Sequence, residues 1–323
     1  MPTPSSAIAD DLTVHPVKGS RKDDPVRGIL LVVVAMAFFS CSDATAKYLN
    51  LTLPAVEIGW MRYAVFSALM LPLVLREGTG VVRTPRPLLQ ILRGLGMLGS
   101  ALFFILGMRY LPMAEAAATS YVSPVFVTVL SILFLGEKIG PRRWAAVLAG
   151  LAGVLIVMRP GGAAFQPAAI FPILSAMSWA CGIIITRKMT GQENPATTLI
   201  WSALTGLVVL TGLLPLGGVV LPTAQEIGWG VFIGVMSTIA QWLLVRAYRY
   251  GDASVLASFS YIQLIWSASL GYLVFSAVPD RWTFAGSAVI IASGLYTVHR
   301  ERIRRRESAA RTGQPAPNGP AVS

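Results

Sequence analysis

Charge is scarce in this sequence. Asp, Glu, Lys and Arg make up 13% of its 323 residues, against about 25% in a soluble domain. With 54% hydrophobic residues, too little polar surface remains to cover one or two soluble domains. The chain is therefore read as a membrane protein. Only two cysteines occur, Cys41 and Cys181, both inside apolar runs, which excludes a disulfide framework and a paired-cysteine metal site. Two histidines, His15 and His299, cannot build a zinc centre. No glycine-rich phosphate loop, metal-ligand cluster or paired-aspartate motif for magnesium–diphosphate chemistry is present. These absences argue against a membrane enzyme and leave no cofactor to expect. No ring of charges or filter-like glycine loop suggests a channel.

What is present is apolar and segmented. Residues 1–26 form a polar tail, expected to be disordered and cytoplasmic, without the apolar core of a signal peptide. Ten apolar stretches follow, at about 28–48, 55–75, 88–108, 113–135, 142–158, 168–187, 196–215, 227–248, 253–275 and 282–299. Most approach the roughly 20 residues that span the hydrocarbon, where backbone groups must be paired within a helix. The expected fold is an all-α integral membrane protein of ten transmembrane helices. The net charge of +11 does not form a nucleic-acid patch, because the cations lie between and after these stretches. With a cytoplasmic N-terminus the inner loops hold ten Lys or Arg and the outer loops four. Both termini are then inside. The basic tail 300–323, with its run from Arg300 to Arg306, serves the same topology signal and attracts anionic lipid.

The chain repeats itself. A shift of 140 residues lays Cys41 on Cys181, Lys47 on Arg187, Gly94 on Gly234, Arg109-Tyr110 on Arg249-Tyr250 and Tyr121 on Tyr261. One more residue of shift pairs Pro54 with Pro195, Trp60 with Trp201 and Gly153 with Gly294. The repeat unit holds five helices, so the second copy enters the membrane from the opposite side. Inverted repeats of this kind build alternating-access carriers with a site near the midplane. The two units are 27–159 and 166–299.

Several segments carry a family resemblance. They are Arg109-Tyr110-Leu111-Pro112-Met113-Ala114-Glu115-Ala116-Ala117-Ala118, Trp60-Met61-Arg62-Tyr63, and Leu135-Gly136-Glu137-Lys138 followed by Arg143-Trp144 and Gly150-Leu151-Ala152-Gly153-Val154. Over residues 27–299 the chain resembles the drug/metabolite transporter superfamily, in the ten-helix form with two EamA repeats. It departs from the pattern at Phe275-Ser276-Ala277, where the family has Phe-Gly-Glu. The resemblance implies a carrier of small organic solutes in the cytoplasmic membrane. Such carriers include exporters of amino acids and drugs and importers of riboflavin or S-adenosylmethionine.

Candidate site residues are the polar and aromatic side chains inside the spans. Asp43 and Glu115 are candidates for proton coupling to an ion gradient, and an acid at such depth is costly. Lys47, one turn beyond Asp43, is the alternative: a neutralising neighbour on the same face. Arg62 has no acid within its own helix, so Asp43, Glu115 or a substrate anion must answer it. Arg93, near the cytoplasmic end, is expected to snorkel. Asp43, Glu57, Arg62, Arg109 and Glu115 gather toward the outer side, opposite Ile183, Thr198, Ala203, Arg249 and Val255 in the second repeat. Tyr121, Trp179, Tyr261 and Trp266 lie deep in their spans, with Gln241 and Gln263 beside them as oriented hydrogen-bonding groups. Arg62, Tyr121, Trp179, Gln241, Tyr261 and Gln263 are the expected substrate contacts, since aromatic rings at depth can stack on a planar ligand; ordinary interhelical packing is the alternative. Pro124 and Pro172 are expected to interrupt the fourth and sixth helices. Small residues at fours, Ala145/Ala149/Gly153 and Gly230/Gly234/Thr238, are expected to let helices close up.

The expected function is alternating-access transport of a small organic metabolite across the inner membrane, foremost uptake of a planar vitamin-like solute such as riboflavin. Amino acids, S-adenosylmethionine or drugs are alternative cargoes, and a lipid-linked flippase or membrane enzyme is the alternative class. Expected partners are the solute, membrane lipid and a proton gradient, with a homodimer left open.

Overall fold

The computed structural model describes residues 24–136, 140–159, 166–189, 193–216, 218, 220–247, 250, 256 and 259–312. Glu137, Lys138, Arg249, Val255, His15 and the segments 1–23 and 313–323 lie outside the described residues.

The described chain is helical throughout: α1 Pro25–Leu49, α2 Ala55–Glu77, α3 Pro87–Tyr110, α4 Met113–Ser120, α5 Ser123–Leu135, α6 Pro141–Met158, α7 Ile170–Met189, α8 Pro195–Leu213, α9 Ala224–Ala247, α10 Ile262–Phe275 and α11 Arg281–Thr312. Seven segments are long and apolar enough to cross a membrane, one of them being α4 and α5 taken together, and the apolar stretches 144–158 and 262–275 are shorter. The last helix runs past the apolar stretch into the basic tail.

Local chemistry sets the helix starts. Proline stands at the first position of α1, α3, α6 and α8, where its missing N–H leaves nothing unpaired. Asp24 accepts from the Arg27 N–H, and Asn194 from the Ala196 N–H. Thr223 and Glu226 exchange hydrogen bonds in a capping box ahead of α9.

The packing is its own image when the two halves are exchanged. Helix α3 packs on α7 as α1 packs on α9, α2 on α9 as α8 on α3, and α5 on α7 as α10 on α1. The pairs α2–α8 and α6–α11 map onto themselves, and α4 packs on α10 within the fourth and ninth spans. Most contacts therefore join one repeat to the other, and neither half buries its apolar faces alone.

Glycines mark the closest crossings. A Cβ on Gly94 would lie 2.7 Å from the Thr205 side chain on α8, and one on Gly234 2.4 Å from the Val65 side chain on α2. Val65 and Thr205 are themselves 140 residues apart, so the repeat places the same clasp twice. Gly153 meets Gly286 and Ile290 across α6–α11.

Pro124 stands at the start of α5, just past a break in the fourth span. Pro172 does not interrupt its helix. It sits in the first turn of α7, where there is no intrahelical bond for it to remove.

Gly94→Ala and Gly234→Ala should each destabilise the bundle by about 1–3 kcal/mol. Gly228→Ala on α9, with nothing within 4 Å of its added Cβ, should be neutral. Thermal unfolding of the detergent-purified variants checks the contrast; equal melting temperatures in all three would refute the clasp.

Candidate functional site

The fourth span breaks between Ser120 and Ser123, where Tyr121 and Val122 turn on hydrogen bonds to Ala118 and Thr119 carbonyls. The ninth breaks at Ser260–Tyr261, ahead of α10. Tyr121 and Tyr261, equivalent in the repeat, occupy these two breaks and stack with ring centroids 4.9 Å apart and planes 28° apart. The Tyr121 hydroxyl donates to the Ser260 carbonyl at 2.9 Å. Gly294 makes room beneath the pair, since a Cβ there would lie 2.1 Å from the Tyr261 ring. Both tyrosines keep part of their surface accessible.

A polar group adjoins this pair. Asp43 of α1 is buried, and the Arg62 guanidinium of α2 stands 3.9 Å from its carboxylate. Gln263 of α10 approaches the same carboxylate. Three of the residues picked from the sequence are thus brought together from three spans. Lys47 does not neutralise Asp43. Its ammonium donates instead to the Met108 and Leu111 carbonyls, both at 2.7 Å, capping the end of α3 that has no intrahelical partner.

Other expectations divide. Trp179 is 39% exposed, and Gln241 is half-buried. Trp242 is exposed beneath the Arg246 guanidinium, and the Trp201 indole donates to the Val82 carbonyl. Arg93 does not snorkel: it is held by Thr186, the Thr198 carbonyl and Ser202. The outer charges do not form one cluster either. Glu57 accepts from the Val220 N–H, and Arg109 is exposed.

The Lys47 end, outer on the predicted orientation, is closed by contacts that composition did not reveal. Asn50 donates to the Ile105 carbonyl at 2.6 Å, and Thr52 to Glu226 at 2.6 Å. Arg159 at the end of α6 pairs with Asp280 ahead of α11 at 2.6 Å. Glu115 lines a narrow cleft with Leu111, Thr119 and Gln166 beside that pair. A cavity of about 220 Å³ opens among Lys47, Asn50, Leu51, Met108, Arg109 and Phe275. Among the described residues no cluster of His, Cys, Asp or Glu could hold a metal ion.

Two matches to the family model described as the EamA-like transporter family cover residues 26–159 and 166–298. The chain belongs to this family. The transporter is 30% identical to a riboflavin transporter of Rhizobium johnstonii, over 88% of this chain and 95% of the relative. It is 29% identical to an S-adenosylmethionine uptake transporter of Rickettsia bellii, over 85% of this chain and 94% of the relative. A solved crystal structure covers 84% of the chain and 96% of its own length with a TM-score of 0.60 at 20% identity, so the two share a fold. The transporter is a multi-pass membrane protein for a small-molecule substrate.

The departure at Ser276 has a structural cost. Gly136 closes α5 in the left-handed conformation at φ 65°, and its repeat equivalent Ser276 closes α10 at φ 53°. A side chain there is strained. Ser276→Gly should stabilise the transporter by about 1 kcal/mol, read as a higher melting temperature; no rise would mean the serine is compensated locally.

The Arg159–Asp280 pair predicts a pH effect. Burial pushes the Asp280 carboxyl up, but hydrogen bonds from Thr283 and the nearby Arg159 guanidinium outweigh it and hold the group below the ordinary aspartate range. A depressed acid contributes stability that is whole above its unfolded value of about 3.9 and lost as pH falls through the folded value. Asp280→Asn should cost about 0.2–1 kcal/mol near neutrality, the range for a part-exposed pair. The gap from the parent should close as melts are taken toward about pH 3. A gap that persists there would deny the ion pair its role.

Proposed function

We propose that this transporter takes up a planar, riboflavin-like solute across the cytoplasmic membrane by alternating access, with both termini inside. The observation that carries the reading is the stacked Tyr121–Tyr261 pair at the matching breaks of the two repeats. Irregular backbone inside the hydrocarbon is tolerated where it lines a cavity or is buried in protein, and broken helices mark transporter sites near the midplane. Two rings there offer an apolar slot for a third, worth about 0.5–1.5 kcal/mol per aromatic pair beyond its burial. The riboflavin-transporting relative supports the same cargo.

S-adenosylmethionine is the second reading, supported by the Rickettsia relative. The charge balance counts against it. A cationic sulfonium calls for a net negative site, and Arg62 already offsets Asp43. Proton coupling through Asp43 or Glu115 belongs to the same proposal, and Asp43→Asn should then abolish stimulation by a pH gradient.

Uptake of radiolabelled riboflavin by an auxotrophic bacterium expressing the chain tests the cargo. The parent should accumulate label, Tyr261→Phe should keep most of the uptake because the ring stays, and Tyr261→Ala should lose about tenfold. No uptake above empty cells, with the protein present in the membrane, would sink the riboflavin reading.

A further inference from the structure

The seam between α1 and α10 holds polar groups that the chain leaves incompletely satisfied. Ser40 and Asp43 lie three residues apart on α1, and Gln263 and Trp266 three apart on α10, so each pair shares one helix face. Ser40 is fully buried and its hydroxyl finds no partner; the Trp266 indole N–H is buried and equally unpartnered. Trp266 packs against a buried cluster that joins Val32, Ala35 and Met36 of α1 to Ala247 and Leu256. Buried polar groups without partners cost free energy in a low-dielectric interior, and each calls for an explanation. Packing explains the size of the Trp266 ring but not the unpaired N–H, and it does not explain the Ser40 hydroxyl, since alanine would fill nearly the same space.

The donor and acceptor inventory says what would complete the seam. Asp43, when ionised, only accepts; Arg62 and Trp266 only donate; Gln263 can do both. Arg62 from α2 and Gln263 from α10 converge on Asp43 from opposite helices. At 3.9 Å the guanidinium lies beyond a hydrogen bond to the carboxylate, so its N–H groups are free to turn to a guest. The seam therefore presents a carboxylate acceptor with donors on both sides. A group with the reverse pattern is a cyclic imide, a ring N–H between two carbonyls.

We propose that Asp43 accepts the imide N–H of a planar ring while Arg62 and the Gln263–Trp266 face of α10 donate to the flanking carbonyls. This deepens the planar-solute reading and rests on it: Tyr121 and Tyr261 take the ring face, and the α1–α10 seam takes its edge. Specificity arises here, because a buried site built around an N–H rejects an analogue that lacks it far more strongly than an apolar slot rejects a misfit.

Flavin fluorescence quenching on the detergent-purified full-length protein tests the edge. Riboflavin should bind, and 3-methylriboflavin, whose imide N–H is replaced by a methyl group, should bind at least about tenfold more weakly. In Asp43→Asn the parent flavin should weaken and the discrimination between the two should shrink. Replacing Trp266 by 3-benzothienylalanine keeps the bicyclic ring and removes only the N–H donor, so it should weaken riboflavin several-fold even if Asp43→Asn fails to fold. Equal binding of the two flavins to the parent protein would overturn the proposal. If neither flavin binds, uracil and 3-methyluracil are compared by thermal shift. A shift with uracil alone keeps the imide edge and discards the flavin cargo, and no shift with either discards both.

Discussion

Hydrocarbon offers no hydrogen bonds, so every polar group carried into it must find a partner within the bundle. This constraint orders the whole structure. It explains why Lys47 turns to two carbonyls at the end of α3 rather than to the acid one turn away. Those carbonyls lie where the helix stops and nothing else serves them. It explains why Arg93 gathers two hydroxyls and a carbonyl from α7 and α8. And it restricts irregular backbone to places walled by protein, of which the facing breaks at Tyr121 and Tyr261 are the central example.

The exchange of helices between halves follows from the same solvent. Lipid competes for apolar side chains as well as any helix does, so association depends on close backbone approach and on polar contacts. The Gly94–Thr205 and Gly234–Val65 clasps supply the first, and the Ser42 hydroxyl on the Ile233 carbonyl is an instance of the second. Each clasp joins opposite repeats, so a rocking motion of one half on the other would turn about these crossings. The tyrosine pair likewise takes one ring from each half.

The helical architecture was legible because periodicity and length respond directly to the bilayer, and the internal repeat was legible because its spacing survived in both copies. Tyr121 and Tyr261 could be paired from that spacing alone. The cost of an unanswered charge named Asp43, Glu115 or a substrate anion as partners for Arg62, and the structure sets its guanidinium 3.9 Å from Asp43. Three things escaped. The partner of Lys47 is backbone, which carries no residue signal. The side of the helix that Trp179 occupies depends on which neighbours pack against α7, a matter of tertiary contacts. Arg93 lies near a helix end, but its guanidinium turns to the hydroxyls of Thr186 and Ser202, and only the fold brings them there.

The repeat is least faithful where the polar chemistry is densest. The backbone break and the tyrosine are duplicated, whereas Asp43 and Arg62 face Ile183 and Ala203 in the second copy. A symmetric scaffold with symmetric side chains would present the same slot from either side of the membrane and hold a guest with no preferred orientation. Placing a charged, hydrogen-bonding wall on one side of a shared aromatic slot breaks that degeneracy. The rings and the wall share α10: Tyr261 stands at its start and Gln263 lies two residues on, while Tyr121, Asp43 and Arg62 come from the first half. On the proposed reading, the face and the edge of a guest are therefore both held between the two halves, and both contacts change together when one half moves on the other.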